Sequence, residues 1–154
     1  MTFVPLPTLG RQDAATAALA AKHRLQVSWR KIAETLGGSL VWSTSAVLGQ
    51  QSLNAEQARA VGRLLHLDDE VVEALQLPPV RGVEMVDPTE PAVYRLQEVI
   101  QVYGSTVAEL IREEFGDGIM SAIDFELSFE RREDPHGDRV RLVLDGKFLP
   151  YRVF

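Results

Sequence analysis

From Asp13 to Gln76 apolar residues recur at helical spacing, broken by short polar or glycine-bearing steps. The alanines and leucines of "DAATAALAAKHRL" predict a first helix. Ser28 is placed to cap "WRKIAETLG", and Gly37-Gly38 to end it. "SLVWSTSAVLG" follows after a short turn. Asn54 can cap "AEQARAVGRLLHL" and Asp68 can cap "DEVVEALQL", with acids in the first turn where the helix dipole favours them. The pattern therefore predicts a small five-helix bundle with a helix–glycine turn–helix at its centre.

The segment "PPVRGVEMVDPTEP", residues 78–91, interrupts it. Its four prolines and one glycine cannot continue a helix, so we expect an N-terminal unit over 1–80 and a second over 81–154. In the second unit, Pro91 opens a helix to Tyr103 that Gly104 is expected to end. Ser105 then caps another over "TVAELIREEF", stopped by Gly116. From Ala122 the period changes to two: Ile123, Phe125, Leu127 and Phe129 alternate with Asp124, Glu126, Ser128 and Glu130, a strand with one buried face. "EDPHGD" is a turn and "RVRLVLD" the returning strand, with Asp145-Gly146 read as a second turn before "KFLPYRVF". A two-stranded hairpin is marginal in water, so this one should find further strands in another subunit. The fold class expected is α+β.

Charge narrows the partners. The net charge of −6 opposes nucleic acid or an anionic membrane surface. Basic and acidic residues balance over residues 1–85, so the excess is carried by the second half. With no cysteine, disulfides, thiolate metal sites and cysteine nucleophiles are all excluded. "MTFVPLPTLGRQD" lacks the basic-then-apolar order of a secretory leader, and no apolar run nears the roughly 18 residues of a membrane span. A cytoplasmic protein is expected.

Three stretches are candidates for chemistry. The helix–turn–helix could read DNA, but residues 39–48 contain no Lys, Arg, Asn or Gln to meet base edges or phosphates, which favours a packing module. Arg95 and Glu98 stand three apart on a helix whose apolar residues, Val93, Leu96, Ile100 and Tyr103 on one side and Val99 and Val102 on the other, imply packing on two sides. Such a guanidinium should be enclosed and require an anion from protein or substrate. On the residues alone, a structural ion pair and a functional site are equally supported. In "FGDGIMSAIDF" the glycines beside Asp117 allow positive φ and close backbone approach, which a simple helix stop would also use. Ser121 has no nearby histidine in the motif, so triad chemistry is not indicated. His23, His66 and His136 show no metal-ligand spacing.

"PPVRG", "YRLQEVIQVYGSTVAELIREEFGDGIMSAIDF" and "LDGKFLP" resemble the C-terminal region of the cyanase (cyanate hydratase) family, and "VLGQQSLNAEQARAVGRLLHLD" resembles its N-terminal helical unit. The likeness runs from about Asp13 to Phe154. It implies bicarbonate-dependent decomposition of cyanate to ammonia and carbon dioxide through carbamate, with no metal or organic cofactor. The family's Arg, Glu and Ser fall on Arg95, Glu98 and Ser121. The likeness also implies a repressor-like helical unit that does not bind DNA, an intertwined C-terminal dimer, and a homodecamer built as a pentamer of dimers with sites between subunits. Many relatives carry an aromatic residue immediately before the Glu, where this chain has Gln97. The rival is a DNA-binding regulator with a C-terminal oligomerisation domain.

Overall fold

Local capping sets the boundaries of the first five helices. A computed structural model describes residues 9–82 and 86–154. Residues 1–8, read above for a leader, and residues 83–85 of the expected boundary segment lie outside the described residues. Helix α1 spans Arg11–Leu25, two residues earlier than the alanine pattern suggests. Asp13 lies inside it and accepts a hydrogen bond from the Gly10 N–H at 2.8 Å, so it holds the helix start from the third position. Helix α2 spans Trp29–Leu36: the Ser28 hydroxyl accepts from the Lys31 N–H at 3.0 Å, and Gly37 ends it at φ 71°. Helix α3 spans Leu40–Val47, capped by Ser39. Helix α4 spans Ala55–Leu65, and Asn54 and Gln57 exchange side chain-to-backbone bonds in a reciprocal capping box. Helix α5 spans Asp69–Ala74, with Asp68 at the cap position but without a capping side-chain bond.

These helices enclose one apolar core. Ile32, Val47, Val61, Leu65 and Leu75 are fully buried in it. Ala14, Ala18 and Ala21, at i, i+4 and i+7 of α1, present a smooth face that lets the other helices approach closely. At about 1.5–3 kcal/mol per large apolar side chain, this cluster is the main favourable term for a unit of short helices.

Helix α6 spans Pro91–Phe115 without interruption, which corrects the expectation of two helices meeting at Gly104. A mid-helix glycine costs only about 1 kcal/mol relative to alanine, and Gly104 has neither positive φ nor a crowded Cβ position. Ser105 is therefore interior, and the helix stop is Gly116, at φ 98°. The Glu90 carboxylate caps the start, accepting from the Val93 N–H at 2.9 Å.

Strands β1, Gly118–Arg132, and β2, Arg139–Pro150, form a two-stranded sheet. The expected second turn at Asp145-Gly146 is absent, because β2 runs straight through it. Gly146 is needed for another reason: a Cβ there would collide with the Met120 side chain and the Ser121 carbonyl. Gly118 likewise leaves room for the Leu149 carbonyl and the Phe148 ring, which stacks on Phe115 with centroids 5.2 Å apart.

The chain divides into two compact units: the five-helix segment together with the hairpin end Ser128–Arg141, and α6 together with the rest of the hairpin. The second unit departs from the expected buried strand face. Phe125 and Leu127 are half-buried, but Ile123 is 97% exposed, and α6 has no buried residue among those described. A single layer of hairpin and helix cannot cover both sides of either element.

Candidate active site

Arg95 and Glu98 lie one turn apart on α6, where the i, i+3 spacing brings Arg95 Nη1 within 4.0 Å of Glu98 Oε2. The guanidinium carbon also lies 5.3 Å from the centroid of the Tyr94 ring. The enclosure expected of Arg95 is not met within one chain: its side chain is 68% exposed and that of Glu98 is 56% exposed. The apolar residues around the pair are open too, including Leu96, Val99, Ile100, Val102 and Tyr103. A helix that is apolar on several sides, half-covered on one and fully buried on none, carries Arg95 on an exposed surface of the single chain.

Ser121 has the opposite environment. It is 4% exposed on β1, and its hydroxyl oxygen accepts from the N–H groups of Ile123 at 3.0 Å and Asp124 at 2.9 Å. With two backbone donors on Oγ, the hydrogen bond left to this side chain is the one its own O–H can donate. That suits a donor to an anion. It does not suit a nucleophile, which would need a base within reach. Gly146 supports the arrangement, since only a residue without Cβ fits against the Ser121 carbonyl.

One chain thus brings Arg95 and Glu98 together and leaves Ser121 apart, with no hydrogen bond joining it to either among the described residues. Gly118, Ile119 and Met120 share an open cleft of about 310 Å³ with the Gly104–Arg112 stretch of α6 and with Asp117 and Tyr151. Arg95 lies about 13 Å further along the helix axis, nine residues before Gly104 at a rise of about 1.5 Å each. The Gly116-Asp117-Gly118 turn divides the two uses of glycine read from the sequence: Gly116 supplies the positive φ and Gly118 the close approach.

Among the described residues no group of three His, Cys, Asp or Glu side chains is placed to hold a metal ion. His23 lies on α1, His66 ends α4 and His136 sits in the hairpin turn. Helix α3, the would-be reader of a groove, turns Ser43, Ala46 and Val47 into the core. Sequence reading missed Arg11. The residue is 7% exposed, and its Nη2 donates to the carbonyls of Ala46 and Gln51. It therefore ties α1 to the carbonyl end of α3, where a cation suits the dipole. Burial holds its pKa below the usual arginine range. Nothing in its sequence context marks it as buried.

Comparison with known proteins decides the family. The family described as "Cyanate hydratase, N-terminal" matches residues 11–79, and "Cyanate lyase C-terminal domain" matches residues 85–153. A cyanate hydratase from Thiobacillus denitrificans is 51% identical over 145 residues, covering 94% of this chain and 99% of that protein. The chain belongs to the cyanate lyase family. Another cyanate hydratase, from Ralstonia pickettii, is 49% identical, again over 94% of this chain and 99% of its own length. Among solved structures, the cyanase from T. urticae superposes with a TM-score of 0.78 at 35% identity, covering 89% of this chain and 96% of that one. The cyanate lyase likeness thus extends through both the helical unit and the part bearing Arg95, Glu98 and Ser121.

Proposed function

We propose that this chain is a cyanate hydratase that decomposes cyanate with bicarbonate as co-substrate. In this reading one cyanate, one bicarbonate and one proton give carbamate and carbon dioxide. The carbamate then takes up a second proton and falls apart to ammonia and carbon dioxide. The observation that carries the reading is the 51% identity to a cyanate hydratase across 94% of the chain. The geometry explains what a protein must supply. Two monoanions have to meet, and their repulsion and desolvation oppose it. Arg95 offsets the charge and orients an oxyanion through its planar donor fork. Glu98 steers the guanidinium, and the Ser121 hydroxyl donates a further hydrogen bond. Holding both anions in near-attack geometry supplies much of the rate. No metal or organic cofactor takes part, so a chelator should leave turnover unchanged.

We further propose that the site is assembled between subunits: the 81–154 part interlocks into a dimer, and five dimers make a homodecamer, with the 1–80 helical unit serving packing rather than DNA. Two features support this. The Arg95 surface and the hairpin expose far more apolar side chain than a lone soluble chain tolerates, among them Ile100, Leu110, Phe115, Ile123 and Leu144. The Ser121 hydroxyl, meanwhile, is bonded among the described residues only to N–H groups of its own strand. The test is ammonia release from cyanate. It should require bicarbonate and should fall, per chain, when dilution takes the particle apart. Full turnover by separated chains, or turnover indifferent to bicarbonate, would overturn the corresponding half of the proposal.

A further inference from the structure

We infer that Tyr94 is a positioning residue for the Arg95 guanidinium, holding the cation by its flat face so that its N–H edges stay free for anions. The inference rests on the reading of Arg95 as the anion-binding group. Arginine is long and rotamer-rich, and here its side chain is 68% exposed on a helix surface. Among the described residues it makes no hydrogen bond, and two groups accompany it. Glu98 stands at 4.0 Å, beyond hydrogen-bond distance, on the Nη1 side. The ring of Tyr94 lies 5.3 Å from the guanidinium carbon, inside the range of a cation–π contact.

The two differ in what they take from the cation. A carboxylate draws on an edge, where the donors are, and so competes with a substrate oxyanion for them. An aromatic ring attracts the positive charge through its electron-rich face, and a guanidinium stacked flat on it keeps every donor in its plane available. Tyr94 is therefore the group that can order Arg95 without consuming a donor. Its place beside Arg95 on α6, a continuous helix, fixes the ring's base rigidly. The contact should strengthen as anions and covering protein remove water from the guanidinium.

The test replaces Tyr94 by Phe and then by phenylalanines carrying one, two and three ring fluorines. Size and apolarity change little along that series, while the negative face of the ring weakens stepwise. Tyr94→Phe should stay near wild type. KM for cyanate and bicarbonate should climb along the fluorinated series, by about three-fold at an exposed contact and up to about thirty-fold at a desolvated one. kcat and particle mass should hold. A flat series overturns the inference, as does a loss that follows particle mass, because Tyr94 would then serve packing. An inactive Tyr94→Phe also overturns it, since the hydroxyl and not the ring face would be at work. If wild type releases no bicarbonate-dependent ammonia, or Arg95→Leu is fully active, the site reading itself fails. With both of those results as expected, a flat series removes only the role of Tyr94.

Discussion

Replacing Arg95 by leucine separates catalysis from folding, because the two effects differ in size. The Arg95–Glu98 pair is an exposed i, i+3 contact at 4.0 Å, with 68% and 56% of the side chains open in the single chain. Exposed pairs of this kind contribute about 0–1 kcal/mol before screening, and this one, long and open, belongs near the bottom of that range. Leucine is also a good helix former, so Arg95→Leu should leave the thermal unfolding midpoint and the particle mass close to wild type. Its effect on the reaction should be large. Removing one preorganised donor from a developing oxyanion typically costs about 10²–10³ in rate. Here the substitution removes the charge as well, so about 10³-fold or more is expected in kcat/KM, some 4 kcal/mol of transition-state stabilisation. The assay is initial-rate ammonia release at saturating bicarbonate, with sedimentation and thermal melting run alongside. Arg95→Lys keeps the charge but loses the fork, and should recover only a small part of the activity. Wild-type turnover in Arg95→Leu would refute the assignment of the site. Inactivity accompanied by loss of the particle would show that the side chain acts through assembly instead.

Other variants probe the surroundings. Gly146→Val forces a side chain into the Met120 side chain and the Ser121 carbonyl, so it should lower activity sharply while circular dichroism of the helices stays near wild type; unchanged kinetics would mean Ser121 is not held by this packing. Leu65→Ala opens a cavity in the fully buried core of the helical unit and should destabilise it by about 2–5 kcal/mol in denaturant unfolding. The Asp87 carboxylate accepts from the Thr89 hydroxyl and then from the Thr89 N–H, and both hold its pKa below the ordinary value. The ordering of this turn is therefore present above the usual carboxylate range and lost as pH falls through the lowered folded value. Thr89→Val should raise the Asp87 pKa toward normal in a carboxyl NMR titration, and no movement would contradict the hydrogen-bond cause.

Sequence and structure agree best where a single residue closes a local bond. Ser28 and Asn54 each cap the helix that follows, and Gly37 ends α2 in the left-handed region, because these effects act within three or four residues. They part company where the same residue type serves two ends. Gly104 resembles a helix stop but lies inside α6, and Asp145-Gly146 resembles a turn but lies inside β2. In each case a local propensity of about 1 kcal/mol was outweighed by the continuity of a longer element. Gly146 owes its place to a strand neighbour some 25 positions away along the chain, which no local pattern reports.

By itself the sequence determined the helical unit, its caps at Ser28 and Asn54, the change of period at the hairpin, and the motif that sets Arg95 three residues before Glu98 and ahead of Ser121. These follow from spacing and side-chain chemistry, which are properties of neighbours. Only the tertiary structure decided that α6 is continuous, that Arg11 is buried against the end of α3, that Ser121 is held by two backbone donors, and that Tyr94 lies against the guanidinium. Those are facts of distance and burial, settled when the whole chain balances apolar area against ordering and desolvation.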